Sequence, residues 1–245
     1  MSDLLLDVRG LRAGYDRAVV IHDLDLAVEP AKTAVVIGPN GHGKTTMLRA
    51  IAGLLQPWAG EVTLDGRRVD GEPAERIAGL GVVHVMQGDG LFAGMTVEEN
   101  LLMGSFLGSS WRGRREALRR VYQALPLVEE KRAQKARTLS GGERRLVGLG
   151  RGMMRPARLM LIDEPSLGLA PVAIEAVYAA LADLRKESEA AVLLIEENFT
   201  HVGGIADVVH VLEAGAIIRS GSYAELSTDE TIVQTYLGAL PEAGR

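Results

Sequence analysis

No cysteine occurs in the 245 residues, which excludes disulfides and thiolate metal sites. Aromatic residues are scarce, at 4%, against 47% hydrophobic residues, so a buried core has to be aliphatic. Trp58 and Trp111 stand alone and form no base-stacking platform. Positive charge is also short: 27 Lys and Arg against 32 Asp and Glu leave a formal net charge of -5. Nucleic acid is therefore not expected as the main partner, because phosphate-backbone binding needs a positive field. No apolar run approaches the ~20 residues that span a bilayer. The N-terminal MSDLLLDVRG has no basic stretch followed by an apolar run, so no signal peptide is expected and any membrane role runs through a partner. Internal repeats and low-complexity tracts are missing too.

What is present is an alternation of short apolar runs with longer helical patterns. Ala34 to Ile37, Gly81 to Met86, Leu159 to Ile162 and Ala191 to Ile195 read as strands covered on both faces, as in a parallel sheet flanked by helices. Lys44 to Leu55 reads as a helix. Glu61 to Leu64 followed by Asp65-Gly66 reads as a strand entering a tight turn. Val208 to Leu212 and Ala216 to Arg219 read as a hairpin joined through Glu213-Ala214-Gly215. From Asp89 to Arg155 the strand signal gives way to a helical one, which predicts a helical subdomain (89–155) inserted into a core made of 1–88 and 156–245. Pro241 to Arg245 reads as a frayed tail.

Three motifs carry chemistry. Gly38-Pro39-Asn40-Gly41-His42-Gly43-Lys44-Thr45, followed by Thr46, matches G-x-x-x-x-G-K-[ST] between a strand and a helix. Its glycines let backbone N–H groups curl around phosphate oxygens, and the helix N-terminus adds partial positive charge. Lys44 is expected to reach the terminal phosphates of ATP, and the Thr45 hydroxyl to ligate Mg²⁺. His42 is expected to face away from the nucleotide. The second motif is the strand Leu159 to Ile162 ending in Asp163-Glu164, where Asp163 can serve the Mg²⁺ shell and Glu164 can act as general base. Strand alternation points these two side chains in opposite directions, so they need not share a role. The third is Leu139-Ser140-Gly141-Gly142-Glu143 before an apolar helix, Leu146 to Met154. Ser140 and Glu143 fit a capping box, which alone explains a well-formed helix start. Ser140, Gly141 and Gly142 also fit a second anion site at a helix N-terminus. Two such sites serve one nucleotide only if a second copy supplies one of them across a symmetric, head-to-tail pair. Beyond the nucleotide-bound Mg²⁺, no cluster has metal-ligand spacing.

Together these motifs resemble those of the ATP-binding subunits of ABC transporters, over Tyr15 to Leu237. The resemblance implies a P-loop NTPase α/β fold: a mixed, largely parallel sheet core, an N-terminal antiparallel β subdomain and an inserted helical subdomain. It also implies that Tyr15 stacks on adenine, that Gln87 touches Mg²⁺ or water and senses a membrane partner, and that Glu164 is the catalytic glutamate. Met95 to Leu101, Asp163 to Pro171 and Thr235 to Gly238 are similar to the branched-chain amino acid uptake branch, whose relatives include urea and amide importers. The expected partners are a second ATPase subunit (the same chain or a paralogue), permease subunits and, indirectly, an extracytoplasmic solute-binding protein. The expected location is the cytoplasmic face of the inner membrane.

One position departs from the family. Where most members carry a switch histidine, this chain has Glu197. A carboxylate ~4 Å from a phosphate oxygen would be repelled by about 4 kcal/mol at an effective dielectric of 20. Glu197 must therefore turn away, take up a proton or slow hydrolysis, and slow turnover is the expectation. His201 could substitute, although a surface histidine is the plainer reading, as packing is for His84. Arg112, Arg114, Arg115, Arg119 and Arg120 read first as a solvated face, and otherwise as a dock for an acidic loop or anionic lipid. A soluble ABC-type ATPase, a non-hydrolysing regulatory module and an exporter subunit share enough of these features to stay open.

Overall fold

A computed structural model describes residues 4–88, 90–106, 112–187 and 189–232. Asp89, Trp111, Thr235 to Gly238 and the tail from Pro241 lie outside the described residues.

Two sheets organise the described chain. The first is antiparallel, built from β1 (Leu6–Tyr15), β2 (Ala18–Val28), β4 (Ala59–Leu64) and β5 (Arg67–Arg68) in the order β2-β1-β4-β5. The second contains β3 (Thr33–Ile37), β6 (Val82–Val85), β7 (Leu159–Asp163), β8 (Ala191–Glu196), β9 (Val208–Glu213) and β10 (Ala216–Gly221), ordered β10-β9-β3-β8-β7-β6. All its pairings are parallel except the β9–β10 hairpin. The two-residue turns after β4 and β9 adopt the left-handed geometry that suits a twisted hairpin: Asp65 at φ 52° with Gly66 at 73°, and Ala214 at 45° with Gly215 at 80°.

The uninterrupted apolar runs are explained by burial on both faces. In β3, Val35 and Ile37 enter one core while Ala34 and Val36 enter the other. In β7, Met160 and Ile162 go one way and Leu159 and Leu161 the other. The antiparallel sheet and α1 (Lys44–Ile51) close the second of these cores. The first is covered by α3 (Val97–Met103), α4 (Arg114–Ala124), α5 (Pro126–Glu130), α6 (Gly141–Met153) and α7 (Pro171–Glu187). α2 (Ala74–Gly79) lies between β5 and β6; α8 (Tyr223–Leu226) and α9 (Glu230–Ile232) follow the hairpin.

The first helix is shorter than its periodicity predicts. It ends at Ile51 because Gly53, at φ 72°, turns the chain: Gly53 N–H donates to Ala50 O at 3.2 Å and Leu54 N–H to Arg49 O at 2.8 Å, the bond pair of a Schellman end. Between β6 and β7 the described chain carries α3 to α6 and a single isolated bridge, Thr96 to Lys135. The exposed arginines fall at the start of α4, where Arg119 and Arg120 both turn to Glu116, consistent with a solvated face.

Candidate active site

The phosphate loop lies between the end of β3 and the start of α1, pressed against neighbouring backbone. A Cβ on Gly38 would sit 2.2 Å from Leu212 O. One on Gly43, at φ 106°, would meet Ile21 Cδ1 at 2.6 Å. Only glycine fits at either place. His42 does face away: its Nδ1 accepts from Ala214 N–H at 3.1 Å, and its carbonyl accepts from Gly215 N–H at 3.1 Å.

Two distant segments converge on this loop, the strand end Asp163-Glu164 and the segment carrying Gln87. Lys44 is 3% exposed; its ammonium donates to Gly38 O at 2.7 Å and Pro39 O at 3.2 Å, and pairs with Glu164 Oε1 at 3.1 Å. Thr45 Oγ1 donates to Asp163 Oδ1 at 3.2 Å. Gln87 Nε2 donates to Glu164 Oε2 at 2.8 Å. A cavity of about 290 Å³ opens among Asn40, Gly41, Gly43, Lys44, Thr45, Thr46, Gln87 and Glu164. Burial raises the Asp163 pKa, the Thr45 hydrogen bond lowers it, and the nearby Glu164 charge raises it again, for a net upward shift.

The two acidic residues do not diverge as strand alternation predicts. Asp163 keeps the alternation and points to the α1 side with Leu159 and Leu161. Glu164 leaves the strand at φ 45°, a costly conformation for a residue with a Cβ, and swings back onto Lys44. Both carboxylates are thereby buried, at 2% and 3% exposure, over the same loop.

Mg²⁺ fits these donors. A hydroxyl and a carboxylate, both hard oxygen ligands, meet beside the loop, and the Gln87 amide lines the same cavity. Among the described residues no group of three or more His, Cys, Asp or Glu could hold a metal ion.

Other predicted residues lie apart. Tyr15 ends β1 and is 41% exposed; its hydroxyl accepts from Arg49 at 3.1 Å, and it does not line the cavity. Ser140, Gly141 and Gly142 start α6, where the capping box is realised: Ser140 Oγ accepts from Glu143 N–H at 3.3 Å and Glu143 Oε2 from Ser140 N–H at 2.8 Å. None of the three lines the phosphate cavity of its own chain. Glu197 is exposed and accepts from Asn40 Nδ2 at 3.1 Å, so its carboxylate is tied to the phosphate loop itself. His201 is no surface histidine: it is partly buried and packs on Tyr178, ring centroids 5.6 Å apart.

Arg145 and Glu196 escaped the motif reading. Arg145, in α6, donates to Gly88 O at 2.8 Å and Leu167 O at 3.2 Å, joining the segment after Gln87 to the segment after Glu164. Glu196 is a carboxylate closing an apolar strand, buried beside Ser166. That position was its only signal in the sequence.

A second cavity of about 410 Å³ borders the Gln87 segment, between β6, α3 and α6. Met86, Phe92 and Met103 line it, at 53%, 46% and 37% exposure. His84 also lines it; burial, with the Arg49 charge adding, lowers its pKa to about 4, and neither ring nitrogen has a hydrogen-bond partner among the described residues.

Comparison with known proteins agrees with the geometry. A family described as ABC transporter matches residues 21–167. The chain is 34% identical over 224 residues to the high-affinity branched-chain amino acid transport ATP-binding protein BraG of Pseudomonas aeruginosa, covering 91% of this chain and 95% of that one. It is 32% identical over 254 residues to the corresponding protein LivG of Escherichia coli, covering 97% and 99%. A nucleotide-free ATP-binding cassette from an ABC transporter superposes with a TM-score of 0.84 at 24% identity, covering 96% of this chain and 99% of that chain. The ADP conformation of MJ1267, an ATP-binding cassette of an ABC transporter, gives 0.84 at 24% identity, covering 97% and 100%.

Proposed function

This chain belongs to the ABC transporter family as an ATP-binding transporter subunit, and we propose that it hydrolyses Mg-ATP to drive uptake of branched-chain amino acids or a related small amide or urea. The observation that carries the hydrolytic reading is the meeting of Lys44, Thr45, Gln87 and Glu164 around one cavity, with Asp163 bonded to Thr45 behind it. The solute rests on the relatives' names alone.

The chain's own groups divide the work. Loop N–H groups and Lys44 bind the phosphates; phosphate oxygens compete with Glu164 for the Lys44 ammonium. Glu164, so released, takes a proton from water as the water oxygen bonds to the γ-phosphorus. The bond from phosphorus to the bridging oxygen breaks, leaving ADP and phosphate. Gln87, already bonded to Glu164, orients that carboxylate and the water. Thr45 and Asp163 would hold Mg²⁺, which when bound supplies charge stabilisation to the phosphates. Tyr15 would meet the adenine. Glu197 places a negative charge beside the loop, which supports slow turnover at limiting Mg-ATP.

Ser140, Gly141 and Gly142 would complete the site on a second subunit, since they lie away from the cavity of their own chain. Residues 89–155 would form a subdomain that reports to permease subunits through the apolar cavity beside Gln87. The location would be peripheral, at the cytoplasmic membrane face. Among the described residues no helix is long and apolar enough to cross a membrane, which supports a peripheral role.

Phosphate release from Mg-ATP by the purified chain, with Glu164→Gln alongside, tests hydrolysis. The chain is expected to turn over slowly and Glu164→Gln to bind ATP without turnover. A wild-type chain that binds but releases no phosphate would leave the regulatory reading that Glu197 favours.

A further inference from the structure

Glu196 lies behind the site rather than in it. It closes β8 and is 1% exposed. Its Oε1 accepts from Ser166 N–H at 3.2 Å, and its Oε2 from Ser166 Oγ–H at 2.8 Å and from Glu197 N–H at 3.2 Å. Ser166 is two residues past Glu164, and Glu197 is the residue that reaches Asn40 of the phosphate loop. One buried carboxylate thus grips both the segment bearing the general base and the segment touching the loop.

The position in the sheet explains why a side chain is needed. Glu164 N–H donates to Ile195 O at 3.0 Å, the last backbone bond of the β7–β8 edge. Beyond it Glu164 turns left-handed and the two chains part. Glu196 continues the tie after the backbone ladder stops. A buried carboxylate is costly unless donors satisfy its oxygens, and here three do. Tyr178 stands beside it: burial first, and the Glu196 charge second, pushes that phenol above its ordinary range.

We propose that Glu196 is a positioning residue for ATP hydrolysis, clamping the Glu164–Ser166 segment to the Glu197 segment so that base and phosphate-loop contact keep one geometry. The inference rests on the hydrolytic reading above. It requires no contact between Glu196 and substrate. Its effect falls on turnover rather than affinity, because the phosphate-binding groups, Lys44 and the loop, are held by other bonds. A misplacement of about 1 Å in a reacting group costs on the order of a hundredfold in rate.

The test uses the full chain and two substitutions. Glu196→Gln keeps the volume but turns an NH₂ group toward one of the donors. Ser166→Ala removes one hydroxyl and leaves the backbone bond. Phosphate release is followed against Mg-ATP concentration, beside equilibrium Mg-ATP binding and thermal unfolding. Glu196→Gln is expected to lower kcat about tenfold or more, with KM and the binding constant within about twofold. Ser166→Ala is expected to lower kcat about threefold, and the double variant to lose less than the product of the two. Unchanged kcat in a folded Glu196→Gln, or KM rising with kcat constant, overturns the proposal. If Glu196→Gln does not fold, unchanged kcat in Ser166→Ala overturns it. Wild-type chain that releases no phosphate defeats the hydrolytic reading and this one together; wild-type turnover with unaffected variants defeats only the clamp.

Discussion

Glu197→Gln isolates the charge that this chain places beside its phosphate loop. The side chain accepts from Asn40 Nδ2 at 3.1 Å, and Asn40 lines the phosphate cavity. Glutamine keeps an oxygen for that bond, so the substitution removes charge and little else. With the carboxylate taken at ~6 Å from the terminal phosphate, one unit of repulsion is about 0.7 kcal/mol in water and about 3 kcal/mol at an effective dielectric of 20. Glu197 is exposed, which favours the lower figure. Mg-ATP affinity is therefore expected to rise about three- to tenfold. The γ-phosphoryl group carries similar charge before and during transfer, so most of the gain belongs in KM and a smaller part in kcat. Steady-state phosphate release at low salt and at 1 M salt is the assay, and the gain should shrink at high salt, where the Debye length is about 3 Å. Unchanged KM and kcat at low salt would show that the carboxylate never confronts the phosphates. An equal change in both salts would show that its effect is not electrostatic.

Lys44→Met should abolish Mg-ATP binding, and it also strands Glu164 in a buried site, at a cost of about 3 kcal/mol in urea unfolding; adding Glu164→Gln should return most of that stability. Asn100 is fully buried and bonds Phe92 N–H at 2.7 Å, Phe92 O at 3.1 Å and Thr96 O at 2.9 Å, so Asn100→Leu should lower stability by about 2–3 kcal/mol, read by thermal unfolding. His84 and His210 are held neutral by burial, each with its pKa lowered from 6.5 to about 4. A depressed histidine contributes stability that is complete above pH 6.5 and is lost as pH falls toward 4. Each should contribute up to about 3 kcal/mol to that loss, and His84→Phe should flatten the pH dependence of the unfolding midpoint.

Much of the parallel sheet was legible because its strands are buried on both faces and read as solid apolar runs. The antiparallel sheet was harder to place strand by strand. β1 and β2 pair with register shifts between Val8 and Leu11, Leu11 and Ala13, and Ala13 and Gly14, and each shift breaks the period-2 alternation that a sequence reader follows. Helix ends were legible where a capping box or glycine marked them, as at Ser140, and missed where Gly53 was passed over.

The phosphate loop, the acidic strand end and the capped Ser140 helix were determined by the sequence itself, because each rests on local backbone geometry that residue type and spacing dictate. The tertiary structure decided which side chains meet. It brought Glu164 onto Lys44 by one left-handed residue, tied Glu197 to Asn40, and buried Glu196 against Ser166. Those contacts join residues 30 to 157 positions apart. Nothing local encodes them; they exist because parallel strands from distant parts of the chain end side by side at one sheet edge.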